Sequence, residues 1–226
     1  MSVIYPHILE MEERGLVTRT FRRLDPDRQQ AVLAAILEEA IEKGPTEINV
    51  TQIAERADVS VGSLYQYFDN RAGLLAFVTE LVTQLAVDFF NAVIPYLESL
   101  PLREALMAYF QGNLKWSQTQ PAFVQFYTRA AYQGDPELSD NVVRPIATVL
   151  RQSVYGILAR AEQRGELRPG LDLEATARVV YALLLAVVDP ILLPYLNAYF
   201  QVTDDDMAAE RVLATAVELI LKGIGA

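Results

Sequence analysis

Cysteine is absent from this chain of 226 residues, and histidine occurs once, at His7. The first absence excludes disulfides, thiolate metal sites and a cysteine nucleophile. The second excludes a Ser-His-Asp triad, an HExxH zinc site and any multi-histidine cluster. No metal, no cofactor and no enzymatic activity are therefore expected. The first residues lack a basic stretch followed by an apolar run, so no secretory signal is expected. Basic charge is also short, at 19 Lys and Arg against 29 Asp and Glu, a net of −10. The deficit is spread along the chain, which does not read as a globally basic nucleic-acid protein. Proline and glycine number 11 each and fall mostly between long periodic segments. Period-two alternation is almost missing, so strands are not expected.

One apolar run, Val179 to Leu196, is interrupted by Asp189, Pro190 and Pro194. A central Asp-Pro pair would cost several kcal/mol in a bilayer. The run reads as a buried helix of a soluble oligomer, with no membrane partner and a cytoplasmic location.

What is present is helical pattern. Hydrophobic residues make up 52% and charged residues 21%, a globular composition with ample core. The fold class expected is all-α, with about nine helices. The first spans Asp25 to Lys43, carrying Ala31, Leu33, Ile36, Ala40 and Ile41 on one side and stopped by Gly44-Pro45. Two short helices, Thr51–Arg56 and Val61–Phe68, precede a long one from Arg71. Five more cover Leu102–Gln118, Ala122–Gln133, Leu138–Arg164, Leu173–Leu196 and Asp204–Lys222.

The natural seam lies near Arg71. It divides residues 1–24 (an N-terminal arm or a disordered tail), residues 25–75 (a three-helix helix-turn-helix domain) and residues 76–226 (a larger helical domain). Five arginines between Arg14 and Arg28 stand out locally. They could form an arm along a DNA backbone or minor groove, or belong to the tail.

Residues 51–75, TQIAERADVSVGSLYQYFDNRAGLL, carry the chemistry. Thr51 is placed to N-cap the first short helix, and Ser60 the second after a three-residue turn. At 100° per residue, Leu64 and Phe68 face inward, while Val61, Gly62, Tyr65 and Gln66 face outward with Ser63 and Tyr67 at the flanks. Such an outward face suits a major groove. Gly62 lets backbone approach a strand, Gln66 matches the donor–acceptor pair of adenine, and Ser63 serves base or phosphate. The hydroxyls of Tyr65 and Tyr67 can reach phosphate oxygens. Asn70 can cap the next helix, leaving Arg71 beside its amides.

The string T-x-I-A-x-x-A-x-V-S-x-G-S-L-Y-x-Y-F-x-N-R-x-x-L-L resembles the DNA-binding segment of TetR-type transcriptional regulators. By that resemblance, Thr51 and Tyr67 would hold phosphates, Val61, Gly62, Ser63, Tyr65 and Gln66 would face bases or the groove wall, and Arg71 would stand where the family usually has lysine. Ala72-Gly73 departs from the acidic, helix-favouring residues common there and weakens that helix start.

Residues 76–226 hold 16 of the 21 aromatic residues, a bias that suits a helical domain around an apolar pocket. Candidate effector contacts are Tyr109, Phe110, Trp116, Phe123, Phe126, Tyr127 and Tyr155, with Arg129 and Asp189 as charges in otherwise apolar helices. The resemblance implies an effector pocket among the middle helices and a homodimer through the last two, which present Val179, Leu183, Leu184 and Val187 and Val212, Ala216, Leu219 and Ile220. The expected function is a repressor released from a palindromic operator on double-stranded DNA by an apolar or aromatic small molecule. A regulator acting without a small-molecule effector, through a protein partner or by constitutive binding, is the alternative. A cavity enzyme would need Asp, Glu or Tyr chemistry, and no acid–base pair presents itself.

Overall fold

Side-chain caps set five of the helix starts in the computed structural model, which describes residues 4–43, 48–132, 134 and 136–226. Asp25 Oδ1 accepts from Arg28 N at 3.0 Å at the head of α3, Pro26–Lys43. Asn49 accepts from the amides of Thr51 and Gln52 and starts α4, Val50–Arg56. Ser60 Oγ accepts from Ser63 N at 2.9 Å and starts α5, Val61–Phe68. Asn70 Oδ1 accepts from Gly73 N at 3.0 Å and starts α6, Arg71–Ser99. Asp172 caps α11, Leu173–Leu192, through Ala175 N. Each cap satisfies amides that the first turn leaves without a helical partner.

The remaining helices are α1 Ile4–Glu13, α2 Arg19–Arg22, α7 Leu102–Thr119, α8 Pro121–Tyr132, α9 Pro136–Leu138, α10 Arg144–Gln163, α12 Pro194–Phe200 and α13 Ala209–Ile224. A π-turn over Ser139–Val143 joins α9 to α10. Among the described residues there is no strand, only the isolated bridges Leu167–Gly225 and Asp204–Met207. The all-α class stands, with more helices than the nine expected. The extra ones lie at the N-terminus, where the chain is helical from Ile4, and where expected helices divide. The stretch Leu138–Arg164 breaks at the π-turn, and Leu173–Leu196 ends at Leu192 because Pro194 cannot donate to the preceding helix and begins α12 instead.

Other details differ for local reasons. Asn49, not Thr51, caps α4, because the helix begins one residue earlier at Val50. Ala31 is exposed, and the inward stripe of α3 is Val32, Leu33, Ala35, Ile36 and Ala40. The side chain of Ile41 and the Gly44-Pro45 stop lie outside the described residues.

The chain divides into two units. The first joins residues 1–88 with 122–146, the second residues 89–121 with 147–226, so the division falls inside α6 rather than at its start. In the first unit, Phe21, Phe68 and Phe77 are fully buried and mutually packed, with ring centroids 4.8–5.9 Å apart. In the second, α11 and α13 pack on α7 and on each other. Arg164 also donates to the carbonyls of Glu98 and Leu100, closing the end of α6 with a cation where the helix dipole is negative. By length and composition α6 and α11 could each cross a bilayer. Both instead carry buried faces, Leu74, Phe77, Val78 and Leu81 on one and Val180, Leu184, Val187 and Val188 on the other.

Candidate nucleic-acid interface

The turn between α4 and α5 is tight because Asp58 adopts φ 52° and Val59 N reaches back to Ala54 O at 3.0 Å. Ile53, Ala54 and Ala57 of α4 and Leu64 and Phe68 of α5 fill the space between the helices. That packing leaves one face of α5 to solvent. Gly62 and Gln66 are exposed and Tyr65 is 39% exposed, with Val61 and Ser63 half-buried at the edges. Ser60 and Ser63 share a hydroxyl contact of 2.8 Å at the N-terminus of this face. Thr51 is exposed on the first turn of α4, its hydroxyl released from capping duty by Asn49.

Gly62 is not required by the packing of the fold. A Cβ there would meet only Ser60 Oγ, at an ordinary 3.6 Å, so no close contact within the chain demands the glycine. Gly73 is the opposite case. Its Cβ would stand 2.2 Å from the Phe68 carbonyl oxygen, so the glycine that looks like a weak helix start is demanded by the backbone folding back from α5.

Tyr67 does not share the exposed face. It is 6% exposed, its ring 5.7 Å from that of Phe21 and 6.2 Å from that of Phe68. The cause is the N-terminal hairpin. Thr18 N donates to Tyr67 O at 2.8 Å and Thr18 Oγ1 to Gln66 O at 2.7 Å, so α2 lies against the last turn of α5 with Phe21 as its anchor. Arg71 is exposed at the start of α6 and reaches Ile48 O at 3.4 Å. Thr18 and Phe21 brace the site without standing out in the sequence, where the only cue is one phenylalanine in an otherwise polar stretch.

The same hairpin is tied to α6. Arg14 pairs with Glu80, and His7 Nε2 lies 2.8 Å from Asp88 Oδ2. Partial burial pushes the Glu80 carboxyl up, but the hydrogen bonds from Arg14 and Gln84, with the Arg14 charge, outweigh it and leave the group below its ordinary value.

The aromatic candidates of the larger half separate. Tyr109 and Trp116 line a cavity of about 120 Å³ in the second unit. Phe89 and Phe90 of α6 join them, both ring centroids 5.1 Å from that of Trp116, together with Asn113 and Ser153. Burial, with a smaller contribution from Tyr181, pushes the Tyr109 phenol well above its ordinary value, and its hydroxyl donates to Leu150 O at 2.9 Å. Ser153 donates to Val149 O and Asn113 to Tyr109 O. The lining thus carries no formal charge. Phe110 is core, fully buried beside Tyr109 and outside this lining.

Tyr155 is 41% exposed, because the buried stripe of α10 runs through Leu150, Ser153, Val154, Ile157 and Leu158 and leaves it on the outer side. Phe123, Phe126 and Tyr127 belong to the first unit, Phe126 buried and the other two stacked at 6.3 Å. Asp189 is half-buried in the last turn of α11, away from the cavity lining, and the Arg129 side chain lies outside the described residues. Phe89 and Phe90 are functional candidates that the sequence reading passes over, because the long helix looks like a connector. Their signal is an adjacent aromatic pair in an otherwise aliphatic helix. Among the described residues no group of three His, Asp or Glu is placed to hold a metal ion.

Residues 32–78 match the family model for bacterial regulatory proteins of the tetR family, and residues 98–188 match the model for a tetracyclin repressor-like C-terminal domain. The two matches together cover more than half of the chain. A relative in Bacillus subtilis, the HTH-type transcriptional regulator YdeS, is 24% identical over 71% of this chain and 77% of its own length. BetI of Pectobacterium carotovorum is 34% identical over 44% of this chain, and that match spans about half of BetI (51%). Among solved structures, a TetR-family regulator from Mesorhizobium loti superposes with a TM-score of 0.66 at 17% identity, covering 92% of this chain and 100% of the other. FadR of Bacillus subtilis, in complex with stearoyl-CoA, gives 0.61 at 20% identity over 86% and 98%.

Proposed function

From the premise that this chain belongs to the TetR family of helix-turn-helix transcriptional regulators, we propose that it is a dimeric repressor released from a palindromic operator by an apolar or aromatic small molecule. The observation that carries the reading is the outward face of α5. It presents Gly62, Ser63, Tyr65 and Gln66 on a helix whose other side is locked by Leu64 and Phe68. Thr51, Ser60 and Arg71 supply phosphate contacts at helix N-termini, where amides already favour anions. Val61 forms part of the groove wall. Tyr67 contributes its hydroxyl at most, its ring being packed inward.

The effector reading is supported by the uncharged cavity of Tyr109, Trp116, Phe89 and Phe90. FadR is a relative in fold crystallised with an acyl ligand. The same helix, α6, lends Phe89 and Phe90 to this cavity and begins at the cap that follows α5. A ligand seated against these rings biases α6 and with it the spacing of two recognition helices. Two protomers joined by α11 and α13 would set those helices about 34–36 Å or more apart. The exposed Val179 and Leu219 support that interface. Action in the cytoplasm follows from this reading.

Replacing Tyr65 and Gln66 with Ala tests the DNA assignment. Specific operator binding is expected to disappear with the melting temperature unchanged, and retained affinity would sink the assignment. Trp116 is the chain's one tryptophan, so intrinsic fluorescence reports the cavity directly. A hydrophobic aromatic ligand is expected to quench or shift it and, in parallel, to weaken operator binding. Ligands that leave both signals flat favour a regulator without a small-molecule effector.

A further inference from the structure

The five arginines between Arg14 and Arg28 are sorted by the fold. Arg14 and Arg22 pair with Glu80 and Glu12 of their own unit. Arg19, Arg23 and Arg28 are exposed, and none forms an ion pair among the described residues. Arg19 and Arg23 are four residues apart, so they share the side of α2 that faces away from buried Phe21. The position of that side is fixed. The residue before Arg19 is Thr18, whose amide and hydroxyl hold the carbonyls of Tyr67 and Gln66. The backbone that carries Arg19 is therefore held against the last turn of α5, at Gln66 and Tyr67. Asp25, the neighbouring acid, is engaged as the cap of α3.

We propose that α2 is a second, sequence-independent part of the DNA interface, with Arg19 and Arg23 contacting phosphates of the duplex whose groove α5 enters. The proposal rests on the reading of α5 as the recognition helix. Planar guanidinium forks suit phosphate oxygens, and Thr18 holds α2 against the last turn of the same helix that presents Gln66. The hairpin then has two tasks, bracing the end of α5 through Thr18 and Phe21 and adding affinity through charge.

The test uses full-length protein and a duplex of about 30 base pairs recovered by the wild type from a random-sequence pool, with affinity followed from about 50 to 200 mM salt. For R19A/R23A the slope of log K against log salt is expected to flatten by about 0.9 for each phosphate that an arginine no longer neutralises. Affinity should fall at least tenfold at the low-salt end, with the recovered consensus and the melting temperature unchanged. R19K/R23K, which keeps the charge, is expected to restore most of the slope. An unchanged slope in R19A/R23A, or a changed consensus with the slope intact, overturns the proposal while leaving the recognition helix standing. A wild type that recovers no consensus overturns both.

Discussion

Gly62 and Gly73 sit eleven residues apart and answer to different constraints. The first leaves room for a Cβ at 3.6 Å from its nearest neighbour, the second would drive one to 2.2 Å from a backbone oxygen. Gly62→Ala is therefore expected to hold or raise the melting temperature, by up to about 1 kcal/mol of helix propensity, while weakening operator binding. Gly73→Ala is expected to lower the melting temperature, since backbone must shift to admit it. Thermal melts and DNA titrations on the two variants check both halves. The contrast also marks what can be read from sequence alone. Ser60, Leu64, Phe68 and Asn70 are legible because a cap or a helical repeat is decided within four residues. The need for Gly73 is not, because it depends on where Phe68 O points, which follows from Asp69 at φ 67°. Thr51 looks like a cap in the sequence for a related reason, a helix start displaced by one residue.

At the scale of the element, the N-terminal hairpin is the piece least legible in the sequence. Its helices are short, and its buried apolar residues, Ile8, Met11, Val17 and Phe21, span too few turns in either helix to establish a period. What orders them is a surface made by residues some 50 to 70 positions away, on α5 and α6. Phe21→Ala empties a fully buried aromatic site and is expected to cost about 3–5 kcal/mol of stability, measurable by denaturant unfolding. The Arg14–Glu80 tie has a pH signature. Because the Glu80 carboxyl lies below its ordinary value of 4.5 when folded, its contribution is present above that value and fades as pH falls through the lowered one. The amide protection factors of residues 8–17, corrected for the intrinsic pH dependence of exchange, should fall on acidification through that window. In Glu80→Gln the window should vanish. Identical pH profiles for the two proteins would count against the tie.

At the scale of the molecule, the helical plan and the position of the DNA-binding segment are legible, because long periodic segments and a run of fixed residue types are strong local signals. The aromatic cavity proposed for the effector is only half legible. Tyr109 and Trp116 meet there, but so do Phe89 and Phe90 from a helix that looks like a connector, and Phe123, Phe126 and Tyr127 belong to the other unit. Aromatic content alone does not say which helices face each other. The apolar surface of α11 and α13 tests the assembly. Val179 is 68% and Leu219 62% exposed, so changing both to Asp should leave each protomer folded, halve the mass seen by light scattering and abolish operator binding. A dimer that survives would place the interface elsewhere.

The measurement that reaches the central claim most directly is a footprint of the purified protein on the DNA flanking its own gene, taken across a salt series. A discrete palindromic footprint whose affinity falls steeply as salt rises is expected. Absence of protection, or weak protection indifferent to sequence, would contradict it.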